Sequence, residues 1–148
     1  AAVRKSAVAA LEAAVVALAS PAVGPSEEDL AAISGACSDA LVSVRRQGML
    51  SLSALLAVFP VDARVAATWL ESVLPMVGDV ESTVQDRCLD AFQENVIDGL
   101  MVTVSRRQGG VPAGAAGARS RLLLTAIGTQ KSSATTALAR LTSALSER

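Results

Sequence analysis

Val3, Val44 and Val84 open three similar segments of the chain, spaced 41 and then 40 residues apart. Arg4, Arg45 or Gln85 follows directly. A small residue stands at the fourth place after each valine: Ala7, Gly48 and Cys88. Large apolar residues occupy the fifth, eighth and twelfth places: Val8, Leu11 and Val15, then Met49, Leu52 and Leu56, then Leu89, Phe92 and Val96. Steps of three and four put them on one face of an α-helix. The small residue within that face lets a neighbouring helix come close. A period of this length is that of a helix pair, and pairs too small to bury their faces alone stack on one another. Aromatic residues make up only 2% of the chain (Phe59, Trp69 and Phe92, with no tyrosine), so strand-favouring residues are scarce. At 51% hydrophobic residues and a mean hydropathy of +0.46, there is ample apolar surface for a core. The fold class expected is all-α: stacked antiparallel helix pairs.

Each valine-led helix should follow another helix. Ser26-Glu27-Glu28-Asp29 has the form of a capping box, with Leu30, Ile33 and Cys37 at helical spacing beyond it. Pro60 marks a boundary, after which Val61, Val65, Trp69, Val73 and Val77 can share a face. Asp39 and Asp79 each stand five residues before a repeat valine, where an acid can cap the second helix and complement its dipole. The second helices should begin near residues 3, 43 and 82 and stack on a common side. Pro75 predicts a kink near residues 71 to 75.

This unit of helix, acidic turn and helix resembles a HEAT repeat. The matching residues are Asp39 with Val44 and Arg45, Asp79 with Val84, Val3 with Arg4, and the proline Pro75, which stands later than usual. The resemblance implies a ladder between stacked repeats, formed by the acid and the arginine. Gln85 departs from the pattern, so the ladder should weaken at the third copy. The stretches Cys37-Ser38-Asp39 to Leu52 and Trp69-Leu70-Glu71 to Gln85 further resemble the D-type HEAT subunits of condensin II complexes. That likeness covers roughly residues 3 to 100 and is thin past residue 104. It implies a nuclear, chromosome-associated, non-catalytic subunit acting in mitotic chromosome condensation. Its partners would be the structural-maintenance ATPase pair and the kleisin, with DNA or chromatin as a further contact. A HEAT-repeat adaptor of another complex, such as a transport receptor or a phosphatase scaffold, is the alternative.

Residues 1–104 thus read as HEAT repeats, the first cut to its second helix and followed by two complete ones. Residues 105–118 read as a flexible loop rich in glycine and arginine, and 119–148 as the start of a further helical pair. Within that pair, Arg121 to Ile127 should form a short helix interrupted at Gly128. A last helix capped by Ser132 or Ser133 should place Ala134, Leu138, Leu141 and Leu145 on one face. Residues 1–98 hold 6 basic and 13 acidic residues, a net charge of −7, whereas residues 99–148 hold 7 basic and 1 acidic, a net of +6. Arg106, Arg107, Arg119 and Arg121 around the loop are the candidate contacts to an anionic partner, either DNA or an acidic subunit surface; a solvated tail is the plainer reading. No aromatic residue interleaves with them for base stacking.

With no histidine, mechanisms that need an imidazole are excluded. Cys37 and Cys88 are too few for a disulfide framework or a four-cysteine zinc site, and read as small buried hydrophobes. Gly128 to Ser132 lacks the glycines of a phosphate loop, and no serine sits in a nucleophile elbow. Asp86, Asp90 and Glu94 share a helix face, which reads as a solvated stripe rather than a metal or acid–base site. No catalytic residue, cofactor, metal, small-molecule substrate or membrane span is expected. The first twenty residues look superficially like a signal peptide, but Glu12 breaks the apolar stretch and the repeat accounts for the same residues. Starting at Ala1, the chain reads as an excerpt, so Val3, Val8 and Val15 are expected to be exposed and to promote self-association.

Overall fold

The computed structural model describes residues 2–18, 23–101, 114–129 and 133–146. Among them there is no strand. The helices are α1 (Ala2–Leu18), α2 (Glu27–Ala36), α3 (Val42–Val58), α4 (Ala63–Val73), α5 (Ser82–Phe92), α6 (Ala115–Thr129) and α7 (Ser133–Ser146). A 3₁₀ turn, Leu74–Gly78, extends α4, and a π turn, Gln93–Ile97, extends α5, which stays helical to Met101.

The second helices α1, α3 and α5 lie side by side, with α3 packed between the other two. Helix α2 packs on α3 and more lightly on α4; the 3₁₀ turn packs on α5. The repeat positions form the core: Met49, Leu52, Leu56 and Val96 are fully buried, and Leu89, Phe92 and Val15 nearly so. This is an all-α arrangement of HEAT-like helix pairs.

The small residue at the fourth place explains how close the paired helices come. A Cβ on Gly48 would stand 2.9 Å from the Cys37 backbone nitrogen and 3.1 Å from the Ala36 carbonyl carbon, at the end of α2. Cys88, its counterpart, sends its Sγ to the Val73 carbonyl at 3.1 Å, at the end of α4. Intrinsic helix propensity favours alanine over glycine by about 1 kcal/mol. At Gly48 the backbone clash should outweigh that, so Gly48→Ala should destabilise by about 1–3 kcal/mol. Gly35 is exposed and a Cβ there meets nothing within 4 Å. Gly35→Ala should therefore stabilise by up to about 1 kcal/mol. Chemical denaturation of the two variants checks the opposite signs; the same sign at both would refute the close approach.

Several expectations need correction. Asp39 and Asp79 do not cap the second helices. The N-caps are Leu41 and Glu81, neither of which makes a side-chain cap bond. Each acid stands two residues before its N-cap and instead accepts that residue's N–H, which ties the turn rather than the helix. Pro75 does not kink a continuing α-helix. The α-geometry stops at Val73 and tightens into the 3₁₀ turn, because proline lacks an N–H and its ring clashes with the carbonyl four residues back. Val61 is 71% exposed: it precedes Asp62, which caps α4, and so cannot share that helix's inner face.

Near the start, Val3 is 82% exposed, but Val8 is half-buried and Val15 is buried, because α1 packs along α3. Helix α6 begins at Ala115, inside the stretch expected to be loop, and runs through Gly128 without interruption. Alanine-rich surroundings and the packing of α6 on α4 outweigh the cost of its two glycines. The last layer also differs from the earlier ones: α6 lies on α4 and the π turn, whereas α7 lies mainly on the 3₁₀ turn.

Candidate functional site

Both acidic turns and the start of α1 carry a repeated polar lattice. At the second turn, Asp39 Oδ1 accepts the Leu41 N–H at 2.8 Å, and Asp39 Oδ2 accepts Arg4 Nη1 at 2.8 Å from the neighbouring helix α1. At the third turn, Asp79 Oδ1 accepts the Glu81 N–H at 2.9 Å and Arg45 Nη2 at 3.0 Å from the neighbouring helix α3. Arg45 Nε lies 2.9 Å from Asp79 Oδ2 as a charge contact, its N–H not aimed for a hydrogen bond. Arg45 Nη1 also donates to the carbonyls of its own turn, Asp39 at 2.9 Å and Ala40 at 3.2 Å. Each arginine thus spans from its own layer to the acid of the next.

Gln85 keeps half of this job. Its Nε2 donates to the Asp79 carbonyl, as Arg45 does to Asp39, but its amide is neutral and brings no charge to a further rung. The two rungs differ in burial. The Arg45 and Asp79 side chains are 13% and 11% exposed, whereas Arg4 is 61% exposed against 15% for Asp39. The Leu41 N–H holds the Asp39 carboxyl below its ordinary range; burial opposes this and Arg4 adds to it.

Further polar ties between layers escaped the sequence reading. Ser51 is fully buried and donates to Glu12 Oε2 at 2.6 Å, while Gln47 donates to Ser51 at 3.2 Å. Trp69 Nε1 donates to Ser53 at 3.0 Å. Asn95 donates its side-chain amide to the Ala91 carbonyl at 2.8 Å, within the π turn. That carbonyl is the normal helical acceptor for the Asn95 N–H, so the side chain displaces the ladder locally. Ser120 of α6 donates to the Asn95 carbonyl at 3.0 Å. The available signal was separation: Glu12 and Ser51 stand 39 residues apart, close to one repeat.

Chemistry of the reactive kind finds no support among these groups. Burial pushes the thiols of Cys37 and Cys88 up to about 12, so neither is a ready nucleophile. No cluster of three His, Cys, Asp or Glu among the described residues could hold a metal. On the acidic stripe, Glu94 pairs with Arg87 at 3.3 Å. No described helix is long and apolar enough to cross a membrane.

At the basic end, Arg121 is exposed and Arg119 is half-buried, its Nε without a hydrogen-bond partner. Burial lowers the pKa of Arg119. Two residues apart on one helix, they point about 200° apart and do not make one patch. Arg140 Nη1 lies 2.8 Å from where a Cβ on Gly78 would stand, against the 3₁₀ turn. Arg106, Arg107, Lys131 and Ser132 lie outside the described residues.

Over 75 residues the chain is 35% identical to condensin-2 complex subunit D3-L of Xenopus laevis. It is 32% identical over 65 residues to condensin-2 complex subunit CAP-D3 of Arabidopsis thaliana. The chain is similar to D3-type subunits of condensin-2 over about half of its length. The matched stretches cover 51% and 44% of this chain but 5% of each of those proteins, so the chain corresponds to a small part of their length. No family model matches it. No solved structure matches it either. Within the chain, Arg4 contacts Asp39 and Arg45 contacts Asp79 from one helix pair to the next.

Proposed function

We propose that this chain is a non-catalytic scaffold segment of a condensin II D-type HEAT subunit, acting in mitotic chromosome condensation. The supporting observation is the repeated Arg-to-Asp rung across stacked helix pairs, in a chain similar to D3 subunits of two distant organisms. Stacked pairs present long surfaces suited to extended partners. The partners in this reading are the structural-maintenance ATPase pair and the kleisin, and the setting is nuclear and chromosome-associated. The structural repeat positions are Val3, Arg4, Asp39, Val44, Arg45, Pro75, Asp79 and Val84.

A contact to DNA or chromatin through the basic end belongs to the same reading. Arg121 is the exposed described candidate, with Arg106 and Arg107 some fifteen residues before it in sequence; the half-buried Arg119 is a weaker one. Such a contact would be sequence-indifferent and salt-sensitive.

Affinity purification of the tagged full-length subunit from mitotic cells tests the reading. It should recover the two ATPases and the kleisin in stoichiometric amounts. Recovery of a phosphatase catalytic subunit or of transport cargo in their place would transfer the chain to another class of HEAT adaptor.

A further inference from the structure

One face of the second helices is covered in two layers and bare in the third. At 100° per residue, the repeat valine and the fourth, seventh and eleventh places after it fall within a sector of about 60°. On α3 these places hold Val44, Gly48, Ser51 and Leu55, and on α5 Val84, Cys88, Ala91 and Asn95; all eight are buried. The cover begins with the helix that comes just before: α2 packs on α3, and the 3₁₀ turn ending α4 packs on α5, with α6 against the π turn. On α1 the same places hold Val3, Ala7, Ala10 and Ala14, and all four are exposed. A polar group differs in the same layer. Arg45 donates to the carbonyls six and five residues back, and Gln85 to the carbonyl six back. Arg4 donates to Asp39 of the next layer but makes no such bond among the described residues; its equivalent acceptors would precede Ala1.

We infer that in the full-length subunit a further helix, formed by the residues just before Ala1, covers Val3, Ala7, Ala10 and Ala14 as α2 covers the same face of α3. Continuity with the existing interfaces names this occupant. In both complete units the covering helix directly precedes the helix it covers. Helix α2 also packs on α1, so the layer of first helices already reaches that helix. The four places carry no charge, which fits the apolar face of an amphipathic helix and gives nucleic acid nothing to hold. Each relative holds far more chain than the 5% matched, so such subunits have residues to supply the helix. Three alanines in the strip allow a close approach, at the short end of the usual 8–10 Å or so between helix axes. The turn that closes the new helix should bring backbone carbonyls to the Arg4 guanidinium, as Asp39 and Ala40 do for Arg45. Taken alone, the 148 residues leave both the strip and most of Arg4 in water. The inference rests on the stacking of helix pairs and not on which complex the subunit serves.

Photo-cross-linking of the full-length subunit tests it, with a diazirine analogue of leucine at Ala14, the place where α3 carries Leu55. The experiment is run on the purified subunit and on its complex. In both, the cross-link read by mass spectrometry should fall in the same polypeptide, within about forty residues before Ala1, the length of one repeat. A second measurement is tryptic cleavage at Arg4 and Lys5 under native conditions. Ala10→Glu sets a charge against the covering helix and should speed this cleavage at least about tenfold by opening the layer locally. Ala10→Ser, which copies Ser51 of α3, and Arg46→Glu, on an exposed part of α3, should leave it unchanged. The cross-link needs no destabilising variant, so it decides the matter even if Ala10→Glu fails to fold. A cross-link to a second copy, to another subunit or to a distant part of the same chain would overturn the inference. So would reaction with water alone, or Ala10→Glu without effect on cleavage.

Discussion

Trp69→Ala should destabilise the fold by about 3–5 kcal/mol, the cost of deleting a fully buried aromatic and leaving a cavity. Trp69 has no exposed surface and is the largest fully buried side chain. It stands on α4, and its indole N–H reaches Ser53 on α3, so it ties the second helix pair to the third. The substitution removes packing and also leaves Ser53 without this donor. Trp69→Phe separates the two contributions: it keeps most of the apolar volume and should cost less, by about the 1 kcal/mol scale of a lost hydrogen bond plus a smaller void. Phe92→Ala, at the eighth place of the third copy and 4% exposed, should fall in the same range of about 3–5 kcal/mol. Urea denaturation monitored by circular dichroism reads all three. Costs under about 0.5 kcal/mol at Trp69 and Phe92, the size of ordinary surface substitutions, would mean that this face does not point inward.

Arg45→Ala should destabilise by about 2–4 kcal/mol, because it strips the partner from a largely covered carboxylate. Asp79 would keep the Glu81 N–H but lose its cation, and the Asp39 and Ala40 carbonyls would lose a donor. Arg4→Ala removes a rung of the same two residue types but a single contact, and should cost clearly less than Arg45→Ala, since most of the Arg4 side chain already lies in water. Arg45→Gln copies what the third repeat carries at Gln85. It can keep the bond to its own turn while losing the rung, and should fall between wild type and Arg45→Ala. Thermal melts of the three variants give the order; Arg4→Ala and Arg45→Ala with equal effects would contradict the burial argument.

The helix pairs and their register were legible because three copies of one pattern cross-check one another. The second-helix starts at Val42 and Ser82 lie within a residue of the expected positions, and the Ser26–Asp29 capping box forms in both directions. What escaped were features set by long-range contact or by local competition for backbone groups. Asp39 and Asp79 have the right residue type for a cap, but chain geometry holds them at the turn. Pro75 stops α-geometry instead of bending it, since it has no N–H to continue the ladder, and the 3₁₀ turn that follows packs on α5. Asn95 diverts its own helix into a π turn, which no periodicity announces. The last layer was hardest to read, because past residue 104 there is no fourth copy of the pattern to align, and its helices pack on α4 and the 3₁₀ turn rather than in register.

A double-mutant cycle on Arg45 and Asp79 tests most directly that stacked layers are joined by these rungs. Arg45→Gln, Asp79→Asn and the double variant are compared with wild type by equilibrium denaturation. Groups joined across a layer boundary should show a coupling energy of about 1–3 kcal/mol, with the double variant less destabilised than the sum of the singles. Strict additivity, within about 0.3–0.5 kcal/mol, would show that the two side chains do not act on each other and that the layers are held together in some other way.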